Sequence, residues 1–292
     1  MTIEIAEPQV TAEALASACQ ASLGKAADVL GRIGPLETRL ARTNAEIDAA
    51  QSVRYRVFIE EMGAQIPPDA MRRKRDIDAW DIVCDHLLVL DTSIEGDAEE
   101  QIVGTYRLLR QDVARNSGGF YSQSEFDLEP LLARQTGKRF MELGRSCVLP
   151  QHRTKRTMEL LWQGAWAYAL NHRIDAMFGC ASFAGPVPEE HALALSFLHQ
   201  NALAGDDWAV CAHADQYRTM DLMPSEAINA RKALSAMPPL IKGYLRLGAM
   251  IGDGAVVDHA FRTTDVLIVL PIESISGRYL NYYGADAGRF AS

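Results

Sequence analysis

Charged side chains set among apolar strand residues are the first feature that could do chemistry. They are Arg54, Asp78 and Asp81 in IDAWD, Arg107 in VGTYRLLR, and Glu142 and Arg145 in MELGRSCV. Such charges are costly on apolar strands unless they are paired or line a cleft. Two readings follow. Arg107 and Arg145 can satisfy Asp78, Asp81 and Glu142 as a structural ion network. The same groups can also serve a reaction, because an active-site carboxylate needs partners that set its pKa and direction. In a regular strand Glu142 shares a face with Gly144 and Ser146. Arg145 then points the other way unless a bulge intervenes.

Other chemistries lack their residues. There is no GxxxxGK[ST] phosphate loop, no GxGxxG after a strand, no HExxH and no GxSxG. The histidines lack metal-ligand spacing, so no metal is expected. The five cysteines, Cys19, Cys84, Cys147, Cys180 and Cys211, are odd in number and form no CxxC pair. They suggest neither a zinc ribbon nor a disulfide framework, and fit the reducing cytosol.

The elements that must position these groups read as follows. LETRLAR (36–42) alternates as a half-buried strand. Asn44 offers an N-cap to a helix over AEIDAAQSVRYRVFIEEM, which Gly63 can end. MRRKRDIDAWDIVCD (71–85) has no period and reads as a loop. HLLVLD (86–91) and QIVGTYRLLR (101–110) are apolar strands, and RFMELGRSCVLP (139–150) is another. MELLWQGAWAYALNHR is an amphipathic helix. DAMFGCASF (175–183) is a strand, PEEHALALSFLHQNALAG and PPLIKGYLRLGAMIG are helices, and TTDVLIVLP (263–271) is a strand. This order gives a mixed α/β (α+β) fold on a mainly antiparallel sheet. Residues 1–32 read as an N-terminal helical or mobile arm, and 33–292 as a single domain.

The 292 residues are 48% hydrophobic and 23% charged, an ordinary globular composition. Lys+Arg total 29 against 38 Asp+Glu, a net charge of −9, which argues against a nucleic-acid partner. The N-terminus resembles no signal peptide, and no apolar run is long enough to span a bilayer.

Residues 51–150 resemble the acyl-homoserine-lactone synthases and their sister group, the ornithine N-α-acyltransferases of bacterial ornithine-lipid synthesis. Both groups resemble GNAT-type acyltransferases in fold. Four elements carry the likeness in order: Arg54 and Phe58 in VRYRVFIEE, Asp78 and Asp81, Arg107 after V-x-G, and Glu142 and Arg145 in Glu-Leu-x-Arg. Beyond residue 150 the stretches LPQHRTKRTMELLWQGAWAYAL, DAMFGCASFAG, PPLIKGYLRLGAMIGDGAVVD and RYLNYY favour the ornithine branch. The synthase branch has a Trp shortly after VFIEEMG; here Ala64 and Gln65 follow Gly63. The Gly-rich pyrophosphate loop of ordinary acetyltransferases is replaced by QHRTKRT, which has no Gly.

The resemblance implies transfer of a 3-hydroxyacyl group from acyl carrier protein to the α-amine of L-ornithine, giving lyso-ornithine lipid. Glu142 is the expected base. Arg54, Phe58, Asp78, Asp81, Arg107 and Arg145 are the expected substrate-binding set, with ornithine contact and mere buttressing left as alternatives among them. Val148, Arg153, Lys155 and Arg156 are expected to meet the carrier's pantetheine arm and acidic surface. No cofactor is expected, the carrier-bound acyl thioester being a co-substrate. Cys147 is a weaker candidate, a covalent nucleophile or a buried strand cysteine. Action in the cytoplasm is expected, with peripheral contact at the inner membrane through PPLIKGYLRLGAMI. The same-fold alternative is a lactone (autoinducer) synthase, and the non-enzymatic one is an acyl-carrier sensor.

Overall fold

The computed structural model describes residues 29–65 and 67–275. Its strands are β1 (Val29–Ile33), β2 (Leu36–Leu40), β3 (Asp85–Asp91), β4 (Ile102–Arg110), β5 (Phe126–Asp127), β6 (Phe140–Val148), β7 (Ala176–Ala184), β8 (Cys211–Ala212), β9 (Met250–Asp258) and β10 (Thr263–Pro271). The principal helices are α1 (Asn44–Arg54), α2 (Lys155–Asn171), α3 (Ala192–Ala202), α4 (Ala230–Ala236) and α5 (Pro239–Leu247). The chain divides into two compact units: 29–120 with 141–174, and 121–140 with 175–275.

In the first unit the sheet runs β1-β2-β3-β4-β6, with every pairing antiparallel. The two sheet faces are covered by different helices. Ala50 and Val53 of α1, with Val57 just beyond it, bury against Leu88, Leu90, Ile102 and Cys147. On the opposite face α2 comes so close that a Cβ on Gly164 would lie 2.7 Å from Thr38 Oγ1 and 3.1 Å from Leu87 Cδ1. Leu87 and Leu88 are strand neighbours, so their side chains serve opposite layers.

Local chemistry sets the ends of these elements. Thr43, rather than Asn44, caps α1: its side chain accepts from Glu46 N at 3.1 Å. The expected long helix is not regular. After Arg54 it widens into a π-helix over Tyr55–Glu61, and Gly63 follows with φ of 77°. Such wide turns cluster at functional sites. The expected loop at 71–85 contains two helical turns. Pro68 opens a short helix, Pro68–Arg73, as proline can at a first helical position. Asp78 and Asp81 cap a 3-10 turn over Ala79–Ile82. Strand β1 begins at Val29, inside the stretch expected as an N-terminal arm; residues 1–28 of that arm lie outside the described residues.

The second unit holds the sheet β7-β10-β9-β8-β5. β10 pairs β7 from Thr263↔Ala184 to Pro271↔Ala176, and pairs β9 on its other edge. Phe140 is fully buried against the Phe178 and Trp208 rings, each at 6.2 Å. The helix expected over PPLIKGYLRLGAMIG stops at Leu247, and Met250 already begins strand β9. The reason is Gly248, which takes φ of 97° where a Cβ would meet Ser274 O at 2.7 Å. Only glycine accommodates that turn. Among the described residues no helix is long and apolar enough to cross a membrane.

Candidate active site

All six charged residues singled out by sequence fall in the first unit. Arg54 is at the last turn of α1 and is completely buried. Its Nε donates to Asp76 Oδ2 at 2.8 Å, and its Nη2 to Asp76 O at 2.5 Å and Asp81 Oδ2 at 2.8 Å. Arg107 comes from the middle of β4. Its Nη1 donates to Asp78 Oδ1 at 2.5 Å and Asp81 Oδ1 at 3.2 Å. Gln51, one turn before Arg54, donates to Asp81 Oδ2 at 3.0 Å.

Arg145 joins this lattice through a bulge. Cys147 pairs with Thr105 and Gly144 with Arg107, so Arg145 and Ser146 together oppose Tyr106. Arg145 absorbs the extra residue at φ of 53°. Its Nε then lies 3.4 Å from Asp76 Oδ2, and its Nη2 lies 3.5 Å from Asp78 Oδ2. The exception to strand alternation that the sequence reading allowed is therefore what the chain adopts.

Glu142 is buried and pairs with Leu109. Gly144, two residues on, pairs with Arg107, and Arg107 pairs with His86. Glu142, Arg107 and His86 therefore emerge on one face of the sheet. It is the face covered by α1, since Cys147 and Leu88 of the α1 core both pair with Thr105.

The electrostatics follow from burial and pairing. Burial alone raises the Asp81 pKa, but the Arg54 and Arg107 charges outweigh it and hold the carboxyl well below its usual range. Asp78 is also lowered: burial opposes ionisation, and Arg107 and Arg145 overcome it. Burial pushes His86 down, so its imidazole is neutral at neutral pH. Its Nε2 lies 2.9 Å from Asp81 O, an acceptor only, so Nε2 carries the proton. Burial pushes the Cys147 thiol up to about 12, which leaves little thiolate for nucleophilic attack.

The residues expected to meet an acyl carrier lie at the end of β6 and the start of α2. Val148 is buried at the end of β6, and its carbonyl accepts from Arg153 Nε at 2.9 Å. Arg153 forks onto Glu61 with both contacts at 2.6 Å. Lys155 and Arg156 are exposed at the start of α2, whose N-cap is Thr154. Phe58, in the π-helix, packs partly buried against the α1 core.

Comparison with known proteins places the chain in a family. Residues 53–163 match the acetyltransferase (GNAT) domain family. An L-ornithine N(alpha)-acyltransferase of Rhizobium meliloti is 74% identical over 293 aligned residues, covering 100% of this chain and 99% of that one. The chain belongs to the L-ornithine N(alpha)-acyltransferase family. Another member, from Agrobacterium fabrum, is 72% identical across 89% of each chain. A solved N-acyl amino acid synthase from uncultured soil microbes aligns at 14% identity and a TM-score of 0.44, over 82% of this chain and 91% of that one.

In this acyltransferase the structure adds two partners that the sequence reading missed, Asp76 and Gln51, and joins to them His86, a weaker candidate at the start of β3. Asp76 takes both Arg54 and Arg145 and is buried. Gln51 and His86 hold the two ends of Asp81, side chain and carbonyl. A signal for Asp76 was present, since DIDAWD places it two residues before Asp78. Arg72 and Arg73 pair with Asp69, and Arg75 pairs with Asp48.

Proposed function

We propose that this chain transfers an acyl group from the thioester of an acyl carrier protein to the α-amine of L-ornithine. The observation that carries the reading is the full-length match to relatives of that name. The site adds a buried carboxylate, Glu142, on the sheet face that presents Arg107.

The α-ammonium of ornithine first loses a proton to Glu142, directly or through water. The neutral amine attacks the thioester carbonyl carbon, and backbone N–H groups of Ser146–Val148 receive the developing oxyanion. The C–S bond breaks as the C–N bond is completed. The pantetheine thiolate leaves and takes up a proton. No covalent enzyme intermediate is required, because an oriented amine already attacks a thioester. On this reading no cofactor takes part. Asp76 and Asp81 hold Arg54, Arg107 and Arg145 in place, and Arg107 and Arg145 are offered to the ornithine carboxylate. Phe58 packs against the apolar core under α1. Arg153, Lys155 and Arg156, with the Val148 backbone, receive the carrier's phosphopantetheine and acidic surface.

With a 3-hydroxyacyl donor the product is a lyso-ornithine lipid, formed in the cytoplasm and passed to the inner membrane. Lys242 and Arg246 of α5 flank a cavity of about 480 Å³ lined by Leu203, Leu234 and Leu245. That basic and apolar face suits peripheral contact with an anionic bilayer. The lactone-synthase alternative is less favoured, since Ala64 and Gln65 follow Gly63 where that branch has a Trp shortly after, and Ala64 is buried.

The test is incubation with 3-hydroxyacyl-loaded carrier protein and either ornithine or S-adenosylmethionine. The expected result is thiol release with ornithine and a product at the mass of 3-hydroxyacyl-ornithine. Thiol release only with S-adenosylmethionine, or with neither amine, overturns the reading.

A further inference from the structure

We propose that Glu61 is a recognition residue for the acyl donor: its carboxylate holds the Arg153 fork at the place where the donor's phosphodiester binds, and the donor enters by exchanging its phosphate for that carboxylate. This rests on the reading that Arg153 meets the phosphopantetheine of an acyl carrier.

A guanidinium presents paired N–H groups to two oxygens that share one negative charge. A carboxylate fits that description, and so does the phosphodiester that joins a pantetheine arm to its carrier. The two therefore compete for one fork. Arg153 is set for such an exchange. Its Nε donates to Val148 O at 2.9 Å, which pins the head group at the end of β6. Its Nη1 and Nη2 each donate to one oxygen of Glu61, both at 2.6 Å. Each partner keeps the other charged: the hydrogen bonds from Arg153 lower the Glu61 pKa, and the same bonds raise that of Arg153.

Exposure decides whether the fork can part. The Arg153 and Glu61 side chains are 40% and 39% exposed. The Arg54 side chain has no exposure, and its acids are nearly as covered. Parting a covered pair strands a charge without water, so the Arg54 lattice is fixed. An exposed pair is rehydrated on opening and shifts an equilibrium by no more than about fivefold. The Arg153–Glu61 fork is of this second, exchangeable kind.

The surroundings let Glu61 leave and favour the phosphate in its place. Glu61 is the last residue of the π-helix, and exposed Met62 and Gly63 follow it. Val57 and Phe58, earlier in the same helix, hold it to the α1 core. Rotation of the Glu61 side chain uncovers Arg153 without moving them. Lys155 and Arg156 are exposed at the start of α2, where the helix dipole is positive. Lys155 pairs only with Glu159, at 3.4 Å and 85% exposure. An arriving phosphate gains these cations as well as the fork, whereas the Glu61 carboxylate is bonded to Arg153 alone among the described residues.

The experiment uses the full chain, saturating L-ornithine and two small donors: 3-hydroxyacyl-phosphopantetheine, and the same thioester on pantetheine without phosphate. Wild type is expected to show a KM about tenfold lower for the donor that carries phosphate, the worth of charge-assisted hydrogen bonds. Glu61→Gln is expected to lower that KM a further threefold or so, with kcat within about twofold, and to leave the KM of the phosphate-free donor unchanged. Glu61→Ala is expected to do the same, and it carries the test if the glutamine variant does not fold. An unchanged or higher KM for the phosphate donor overturns the proposal, because Glu61 would then be bracing Arg153 for its ligand. A KM that moves alike for both donors also overturns it, since loss of a merely structural contact would not distinguish them. Equal KM values for the two donors in wild type overturn it at its foundation, because Arg153 would then meet no phosphate. No acyl-ornithine from wild type with any donor, carrier-bound included, overturns the activity and this proposal together, whereas product formation with indifferent Glu61 variants overturns only this proposal.

Discussion

Arg145 Nε lies 3.4 Å from Asp76 Oδ2, and the bulge brings it there. With the β4–β6 register continuous, Arg145 would project from the face opposite Gly144. The extra residue turns it into the lattice at φ of 53°. A non-glycine residue in that region stores strain of order 1–3 kcal/mol, which persists only where surrounding contacts fix it. The strain and the ion pairs are therefore coupled: the lattice holds the bulge, and the bulge supplies the third arginine.

The centre of that lattice is Arg54, whose head group has no exposure and bonds Asp76 twice and Asp81 once. Arg54→Ala leaves two buried carboxylates short of their cation. The expected cost is about 3–5 kcal/mol of folding stability, read by urea denaturation. Arg54→Lys recovers only part of it, because one ammonium cannot reproduce the planar fork. A loss under 1 kcal/mol for Arg54→Ala would show that the network is incidental.

Much of this arrangement was legible in the sequence. The strands around Glu142 and Arg107 alternate or run apolar, and the charges interrupting them stand out because burial is costly for them. Asp76 was not singled out because it sits in a charged run, RRKRDID, where an acidic residue looks solvated. What distinguishes it is the short helix Pro68–Arg73, which turns the chain back so that Asp76 N bonds Gln51 O at 3.1 Å. Strand β9 was hidden because MIGDGAVVD continues the apolar run of α5, and the break depends on the close approach of Gly248 to Ser274. The Glu61–Arg153 pair was invisible for a different reason. The two residues are 92 positions apart in sequence, and folding alone makes them neighbours.

Acid sensitivity follows from the depressed groups. Asp81 and Asp78 have folded pKa values below their unfolded ones. They contribute stability that is complete above about pH 3.9 and is lost as pH falls toward the folded values. His86 is also depressed. Its contribution is complete above about pH 6.5 and is lost below that, as the unfolded chain takes up the proton. Stability measured by denaturant at successive pH values should therefore decline in two stages. His86→Gln should flatten the upper stage and leave the lower. An unchanged upper stage in that variant would assign it to other groups.

Overpacking gives a check on the α2 layer. A Cβ on Gly164 would meet Thr38 Oγ1 at 2.7 Å and Thr38 Cγ2 at 2.9 Å. Thr38 is fully buried, and its hydroxyl is committed to Leu88 O at 2.9 Å. Gly164→Ala is therefore expected to lower stability by about 1–3 kcal/mol, despite alanine's better helix propensity. Gly144→Ala is the contrast, since nothing lies within 4 Å of its added Cβ. A gain in stability for Gly164→Ala would mean that the helix sits farther from the sheet.

Two side chains of β6 separate the competing chemistries. If a thiolate attacked the thioester, Cys147→Ala would abolish turnover. Its thiol is buried and pushed up to about 12, so this variant is expected to keep kcat within about threefold. Glu142→Gln keeps the shape of the buried side chain and removes its basicity. Its kcat is expected to fall by about 10²–10⁴, with little change in the KM for the acyl donor. Because the acceptor ammonium becomes easier to deprotonate as pH rises, the Glu142→Gln deficit should shrink toward alkaline pH, while a merely structural defect would not. Rapid-mixing measurement of thiol release from pH 6 to 10 reads both effects. A Cys147→Ala variant without activity, or a Glu142→Gln variant with near-full activity at pH 7, would reverse the assignment.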